Sequence, residues 1–342
     1  MDSAQATQTV TLFLVTTVYN GGNRLQRTLD SLLEQTSASF VHYIYEDGSP
    51  KPSDAIIQDY ILKVKARKDP YKVIFEHGIK NIGVDAAHQH CFSLCQGTHF
   101  MSLDSGDYIT KDFVEKSIKV ISEHPGYGWY HFNSISYDEK NGLWKRPDSV
   151  SFKSTELKRP DQLPNFLSNR NFFFHHFLTD YAAYRKINPD FFIQDGHSNG
   201  GLWYDAQIIF EMLANYQSMY FVQDPLSRVL QDPHSVATSG KYDEATKRQN
   251  ELFLLKKLSF PEERIAFIQD YMSFLDNSLA IKKLALNGQK SQAVQTYRNC
   301  LDFMAKYHLP SFYFVDKKRA HFFASCAKNP LLLASYKKVR HC

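Results

Sequence analysis

Strand-like and helix-like segments alternate over residues 1–135 of this chain, and this alternation limits the possible folds more than any other feature. The strand-like segments are short runs of apolar, β-branched and aromatic residues, and the segments between them are long enough for helices. Strands alternating with helices at this spacing predict an α/β fold with a Rossmann-like, doubly wound and mostly parallel sheet. We expect strands within residues 9–18, 40–49, 71–77, 98–107 and 128–136.

Polar residues follow three of the predicted strands. They form the segments TTVYN (16–20), YEDGS (45–49) and LDSGD (103–107). In open α/β sheets, ligands bind in the crevice outside the carboxyl ends of the strands. We therefore expect these three segments to meet at one edge of the sheet and to form a ligand site there.

The LDSGD segment contains two carboxylates, Asp104 and Asp107, with Gly106 between them. Carboxylate oxygens are hard ligands that suit Mg²⁺ or Mn²⁺, and such a cation would let an acidic edge hold a phosphate group. Asp, Ser and Gly are also common turn residues, so the motif alone leaves a metal site and a plain turn open. No G-x-G-x-x-G follows the first strand, which argues against a classical dinucleotide-binding fold, and no G-x-x-x-x-G-K-[ST] occurs, which excludes a P-loop.

Four motifs resemble, in order and spacing, those of the family 2 glycosyltransferases of the GT-A fold. They lie in VTTVYNGGNRLQRTLDSLLEQT (15–36), in YEDGS (45–49) and in NIGVDAAHQHCFSLCQGTHFMSLDSGD (81–107), which contains two of them. The resemblance covers residues 1–235. It implies a domain that binds a nucleotide-diphosphate sugar and transfers the sugar to an acceptor hydroxyl.

The resemblance also implies which residues hold the donor nucleotide. Thr17 and Tyr19 match positions that line the nucleoside pocket. Asp47 matches the turn carboxylate that hydrogen-bonds the base or ribose, and Glu46 stands beside it. His88 replaces a usual arginine and is expected to face the diphosphate. The full implied donor-binding set is Thr17, Tyr19, Glu46, Asp47, His88 and Asp104.

A divalent metal, Mn²⁺ or Mg²⁺, is the implied cofactor. Asp104 matches the first Asp of the family's D-x-D element, and Asp107 matches its last acidic position, which makes Asp107 the expected main ligand. Gly106 stands where the middle carboxylate is usual. His234, in PLSRVLQDPHSVATS (225–239), matches a family histidine that is expected to reach the metal, with a plain loop residue as the alternative.

The implied catalytic base is Asp205, at the start of LWYDAQIIFEML (202–213), which resembles a helix start of the family. An acceptor hydroxyl that attacks the anomeric carbon needs a group to take its proton, and a carboxylate can do this. The alternative is an Asp that only stabilises the first helical turn through the helix dipole.

Together these residues predict a metal-dependent, inverting glycosyltransferase of the hexosyltransferase type. The expected donor is a UDP-sugar, the acceptor is saccharide or lipid-linked, and the resemblance places the enzyme in surface polysaccharide or glycolipid synthesis. Two alternatives remain. A sugar nucleotidyltransferase would need an extended Gly-rich loop after the first strand, which YNGGNRLQR (19–27) lacks. A non-catalytic GT-A scaffold would accommodate Gly106 and His88.

We expect a GT-A domain at residues 1–240, with a nucleotide-binding half at 1–135 and an acceptor half at 136–240, and a helical extension at 241–342. In the segment 311–342, Asp316 is the only acidic residue, and the basic residues alternate with aromatic and aliphatic ones. This composition predicts peripheral contact with an anionic membrane, or else a packed helix with a solvated basic face. The basic residues are Lys317, Lys318, Arg319, Lys328, Lys337, Lys338 and Arg340.

Composition limits the expected binding partners of the protein and its expected cellular compartment. The formal net charge of +4 is mild, and without a concentrated basic stripe it argues against a nucleic-acid partner. The five cysteines show no disulfide-like spacing, no signal peptide is recognisable, and no apolar run approaches a membrane span. We expect a cytoplasmic protein that can act at the inner face of the membrane.

Overall fold

The structure is a computed structural model of the 342-residue chain. It describes residues 10–138, 143–145, 156–157, 176–186, 208, 212, 218–231 and 283–306, together with single helical residues between 262 and 281. The chain divides into two compact units. The first comprises Met1–Leu163 with Asn171–Leu254, and the second comprises Pro164–Arg170 with Leu255–Cys342.

A ten-stranded sheet organises the first unit. Its strands in chain order are β1 (Leu12–Val18), β2 (Phe40–Glu46), β3 (Lys72–His77), β4 (His99–Ser102), β5 (Tyr108–Ile109), β6 (Trp129–Asp138), β7 (Leu143–Lys145), β8 (Glu156–Leu157), β9 (Phe177–Asp180) and β10 (Met219–Gln231). The main path through the sheet is β3-β2-β1-β4-β9-β6-β10-β5. Strand β7 pairs with β6, and β8 pairs with β10.

The predicted α/β fold is confirmed, and most of the paired length of the sheet is parallel. Strands β3, β2, β1 and β4 are mutually parallel, as are β6 and β10. Strand β9 lies antiparallel between β4 and β6, and β5 lies antiparallel beside β10. The sheet is therefore mixed beyond β4, a feature that the alternation of strands and helices did not predict.

Helices follow strands β1, β2, β3, β5 and β9. They are α1 (Gly22–Leu33), α2 (Asp54–Lys65), α3 (Val84–Ser93), α4 (Phe113–Glu123) and α5 (Tyr181–Lys186), and the second unit contains α6 (Lys290–Lys306). The apolar residues Leu25, Leu29 and Leu32 recur along one face of α1 and are fully buried. This spacing of apolar residues is typical of a helix that packs one face on a sheet.

The core lies around β1, whose residues Leu12, Phe13, Leu14 and Val15 are all fully buried. Side chains of successive residues in a strand point to opposite faces, so complete burial means that both faces of β1 are covered. The core thereby fixes the position of the polar residues at the carboxyl end of β1.

In the second unit, Lys306 Nζ in α6 lies 2.6 Å from Asp270 Oδ2. No helix within the described part of the chain is both long enough and apolar enough to cross a membrane. The predicted division of the chain at residues 240 and 241 stays a prediction, and the basic segment 311–342 lies outside the described residues.

Candidate functional site

The carboxyl ends of β1, β2 and β4 lie side by side at one edge of the sheet, as expected. Val15 pairs with Ser102 and Thr17 pairs with Tyr45 in the parallel registers. The turns that follow are also joined, because the Asn20 N–H donates to Ser49 Oγ at 2.8 Å. The TTVYN, YEDGS and LDSGD segments therefore leave the sheet next to one another.

Glu46, the last residue of β2, is fully buried. Its carboxylate accepts hydrogen bonds from the Ser49 hydroxyl, from the Ser49 N–H at 3.3 Å and from the Ser53 N–H at 3.2 Å. These contacts give Glu46 a structural role in the turn before α2. Its direct contact with a nucleotide stays a prediction.

Asp47 anchors the loop between β3 and α3. Its carboxylate accepts hydrogen bonds from Ile82 N at 2.8 Å, Gly83 N at 3.1 Å and Asn81 Nδ2 at 3.0 Å. Burial raises the pKa of Asp47, and the two backbone N–H groups partly offset that rise. Asp47 thus holds the NIG motif (81–83) beside the end of β2, where the resemblance expects the nucleoside.

A glycine is required at position 48, next to Asp47. Gly48 has φ +60°, and a Cβ there would lie 2.4 Å from the backbone of Lys80. Only glycine adopts this conformation at such a close approach. The DG pair of the YEDGS motif therefore allows the turn after β2 to touch the loop between β3 and α3.

The DSGD turn (104–107) is closed by backbone contacts and by one threonine of α1. The Asp107 N–H donates to Asp104 O at 2.9 Å. The hydroxyl of Thr28, which is buried in α1, accepts from Gly106 N at 2.8 Å and donates to Asp107 O at 2.7 Å. Gly106 has φ 113°, which L side chains rarely adopt. A glycine at this position is therefore what the turn needs.

The two carboxylates of the turn differ in exposure. The side chain of Asp104 is 42% exposed, and its Oδ1 accepts from Ser102 Oγ at 3.0 Å. The side chain of Asp107 is only 10% exposed, and its Oδ2 lies 3.3 Å from Nε2 of His176. The turn thus begins with a partly exposed carboxylate, Asp104, and ends with a mostly buried one, Asp107.

The carboxylates of Asp104 and Asp107 fit a divalent cation that is also bound by a diphosphate. Within the described ranges, no three His, Cys, Asp or Glu side chains converge as a complete metal site. Mg²⁺, however, is usually held by one or two carboxylates together with substrate phosphates rather than by an all-protein cage. Asp104 and Asp107 supply the carboxylate part of such a site.

His88 points into the protein, with only 1% of its side chain exposed. Its Nδ1 lies 2.7 Å from Val84 O, and its Nε2 lies 2.7 Å from Ser102 Oγ and 3.4 Å from Thr17 Oγ1. The ring therefore lies behind the candidate ligand edge. A direct contact of His88 with the diphosphate stays a prediction that this burial does not favour.

Thr17 and Tyr19 lie where the nucleoside-pocket prediction expects them, at and just beyond the end of β1. Thr17 is half-buried beside His88, whereas Tyr19 is 50% exposed at the edge of the sheet. Their contact with a nucleoside stays a prediction. Asp205 and His234 lie outside the described residues. Ile208 and Met212, in the LWYDAQIIFEML segment, are helical and buried.

Sequence reasoning missed the supporting residues Thr28, Ser102, Asn81 and His176. Asn81 belongs to a motif that had been recognised, and Ser102 precedes the LDSGD segment directly, so position in the sequence could have indicated both. Thr28 lies on the buried side of α1, and its hydroxyl was the only signal. Nothing in the sequence links His176 to Asp107.

The fold is that of a GT-A-type domain, and this acidic edge of the sheet is its candidate ligand site. The sequence profile described as Glycosyl transferase family 2 matches residues 13–186, just over half of the chain. The chain belongs to this glycosyltransferase family.

Known proteins support the family and the fold. The glycosyltransferase GlyA of Streptococcus pneumoniae serotype 4 is 28% identical over 134 residues, which is 38% of this chain but only 18% of GlyA. S. aureus TarS 1–349, solved in complex with UDP-GlcNAc, superposes with a TM-score of 0.59 at 15% identity and covers 96% of this chain and 92% of that chain. A longer TarS structure gives a TM-score of 0.56 at 14% identity, over 92% of this chain and 53% of that chain. At these identities the likeness to TarS shows the fold.

Proposed function

We propose that this protein is a metal-dependent, inverting glycosyltransferase of the hexosyltransferase type that takes its sugar from a nucleotide-diphosphate donor, preferably a UDP-sugar. The observation that carries the proposal is the DSGD turn, whose two carboxylates stand at the edge where the TTVYN and YEDGS segments also end. TarS, which has the same fold, was solved with UDP-GlcNAc and with UDP, and this supports a uridine donor.

Asp107 and Asp104 would hold the divalent cation, Mn²⁺ or Mg²⁺, together with the donor diphosphate. When bound, such a cation stabilises the negative charge that develops on the departing nucleoside diphosphate. The protein contributes the fixed geometry, because Thr28 and the backbone bond between Asp107 and Asp104 hold the turn in one conformation. Asp47 and the NIG motif hold the nucleoside side of the same edge.

Asp205 is the base in this proposal. It removes the proton of the acceptor hydroxyl, whose oxygen attacks the anomeric carbon from the face opposite the nucleotide and inverts its configuration. Replacement of Asp205 by Asn should lower turnover by roughly a hundredfold or more, whereas donor binding should persist. A product with retained anomeric configuration would contradict the inverting mechanism, and a loss of donor affinity alone would favour a helix-capping role.

A thermal-shift screen of UDP-, GDP- and dTDP-sugars with Mn²⁺ or with EDTA tests the proposal most economically. We expect stabilisation by a UDP-sugar that depends on Mn²⁺, followed by slow release of UDP when no acceptor is present. A non-catalytic scaffold would release no UDP. A sugar nucleotidyltransferase would instead release pyrophosphate from a nucleoside triphosphate.

We place the enzyme in the cytoplasm, where a saccharide or lipid-linked acceptor of a surface polysaccharide or glycolipid would be extended. The basic and aromatic composition of residues 311–342 supports contact with an anionic membrane surface. Binding to anionic liposomes that fades with salt and is lost on truncation after Pro310 would support this contact. A full-length protein that stays in the supernatant at low salt would contradict it.

A further inference from the structure

Two buried histidines lie behind the DSGD turn, one next to each of its carboxylates. His88 lies in helix α3, and His176 directly precedes strand β9, so the two rings approach the turn from separate parts of the fold. Each side chain is only 1% exposed. Because neither ring reaches solvent, each can influence a bound donor only through the residues that it contacts, and one of these is a carboxylate of the turn.

The orientation of the His88 ring is fixed by its hydrogen bonds. Its Nδ1 lies 2.7 Å from Val84 O, and a carbonyl oxygen only accepts, so Nδ1 carries a proton that it donates. This turns Nε2 toward Ser102 Oγ at 2.7 Å, and the same hydroxyl lies 3.0 Å from Asp104 Oδ1. Ser102 Oγ therefore lies between the ring and the carboxylate, with Nε2 itself 3.7 Å from Oδ1.

The Thr17 hydroxyl also approaches the His88 ring, at 3.4 Å from Nε2. Thr17 lies near the end of β1, Ser102 ends β4, and Val84 begins α3. His88 thus contacts residues of β1, β4 and its own helix α3, and its Nε2 lies on the Oδ1 side of the Asp104 carboxylate.

His176 stands in a corresponding place behind Asp107. Its Nε2 lies 3.3 Å from Asp107 Oδ2 and supplies a polar partner for a carboxylate that is itself largely buried. The backbone of His176 has φ 61°, a conformation that is uncommon for a residue other than glycine. Such a backbone persists where the surroundings require it, and here it accompanies the placement of the ring against Asp107.

We propose that His88 and His176 are positioning residues that orient the Asp104 and Asp107 carboxylates for the donor diphosphate and its cation. This inference rests on the proposed function. Partners behind a ligating group fix its orientation, and removing such a partner typically weakens metal affinity by about 10- to 100-fold.

The test compares Leu and Gln variants of each histidine. Leu removes the polar contact, whereas Gln keeps an N–H donor on a side chain of similar length. We expect His88→Leu and His176→Leu to weaken the binding of Mn²⁺ plus UDP, measured by calorimetry and by Mn²⁺ electron paramagnetic resonance, by about tenfold or more. His88→Gln and His176→Gln should recover most of that loss, which a purely structural role would not require.

His99 provides a matched control in the same sheet. It is a largely buried histidine at the start of β4, with Nε2 3.7 Å from Asp180 Oδ2, so it resembles the two site pairs in chemistry. It lies at the opposite end of β4 from the DSGD turn. His99→Leu should therefore change thermal stability but leave the affinity for Mn²⁺ and UDP unchanged.

The outcomes separate this inference from the proposed function. If both Leu variants bind Mn²⁺ and UDP as tightly as the wild type, while Asp107→Asn does not bind, the positioning role is wrong and the proposed donor site stands. If His99→Leu weakens binding as much as the two site variants do, the loss reflects general destabilisation and the inference is also wrong. A wild type that binds no UDP, with or without Mn²⁺, overturns the inference and the proposed function together.

Discussion

In the sequence, Gly106 looks like the loss of a metal-binding carboxylate. In the fold, there is a structural reason for a glycine at this position. Gly106 stands where the family pattern has a carboxylate, yet its φ of 113° lies in a region that residues with a side chain rarely adopt. Its N–H donates to the buried hydroxyl of Thr28. Glycine thus allows the turn to adopt the conformation that holds Asp104 and Asp107 in place. Of these two carboxylates, Asp107 is the less exposed.

We predict that Gly106→Ala lowers the free energy of unfolding by about 1–3 kcal/mol, because alanine must adopt a strained backbone there. The measurement is denaturant unfolding of the purified variant. Ser105→Ala is the matched control, because the Ser105 hydroxyl is buried without a hydrogen-bond partner among the described residues and its loss should cost little. Equal stability of Gly106→Ala and the wild type would show that the turn does not need glycine.

At the scale of elements, helix α1 and the DSGD turn act as one unit. The Thr28 hydroxyl bonds to Gly106 N and Asp107 O, and it is the side-chain contact through which α1 supports the site. The amide of Gln35, just past the helix, donates to Thr110 O at 2.8 Å and extends the same contact beyond the turn. The position of Asp107 therefore depends on how α1 packs.

Thr28→Val keeps the shape of the side chain but removes its hydroxyl. A buried N–H left without an acceptor costs about 1–3 kcal/mol, so we predict a loss of stability of that size together with weaker Mn²⁺-dependent binding of UDP. Thr28→Ser, which retains the hydroxyl, should behave nearly as the wild type. A Thr28→Val protein with wild-type stability and UDP affinity would contradict the support that we assign to α1.

The parallel strands β1 to β4 could be predicted from the sequence because they are short apolar runs that alternate with helices. Strand β10, which is parallel to β6, was not predicted. Strands β1 to β4 and most of β6 fall within the predicted ranges. Strand β9 was not predicted, because its place is fixed by antiparallel pairing with β4 and β6, which are distant in the sequence. His176, next to β9, was missed for the same reason.

In the candidate site, too, some features could be predicted from the sequence and others could not. The sequence could place Asp47, Asp104 and Asp107 at the carboxyl edge of the sheet, because each lies in a polar turn that follows a strand. The inward orientation of His88 and the full burial of Glu46 were not predicted, because both follow from side-chain hydrogen bonds across elements. Sequence spacing places residues on an element, but the burial of a side chain is decided by what packs against it.

At the scale of the whole molecule, a buried polar network inside the sheet links stability to pH. His42 in β2 is fully buried, with Nδ1 2.8 Å from the Tyr60 hydroxyl and Nε2 3.1 Å from Thr16 Oγ1. Burial lowers the pKa of His42 from 6.5 to about 3. The folded protein therefore keeps this ring neutral across the mildly acidic range.

The unfolded chain binds a proton at this histidine below pH 6.5, whereas the folded protein does not until about pH 3. The contribution of His42 to the free energy of unfolding is therefore fully present above pH 6.5. It is lost as the pH falls from 6.5 toward 3, which lowers the free energy of unfolding by up to about 5 kcal/mol. We predict that His42→Gln flattens the pH dependence of the unfolding free energy between pH 4.5 and 6.5. Above pH 7, the difference between variant and wild type should stay constant, and an equally steep acid loss in both proteins would contradict this assignment.

The proposed function depends on the DSGD turn being a working site for a donor diphosphate and its cation, with Asp107 as the main ligand. The most direct measurement is calorimetric binding of UDP to the wild type and to Asp107→Asn, each with Mn²⁺ and with excess EDTA, after thermal unfolding has confirmed that the variant is folded. We predict that Mn²⁺ strengthens UDP binding to the wild type by about tenfold or more and that Asp107→Asn loses this difference. Equal UDP affinity in wild type and variant, or wild-type affinity unchanged by EDTA, would contradict the account.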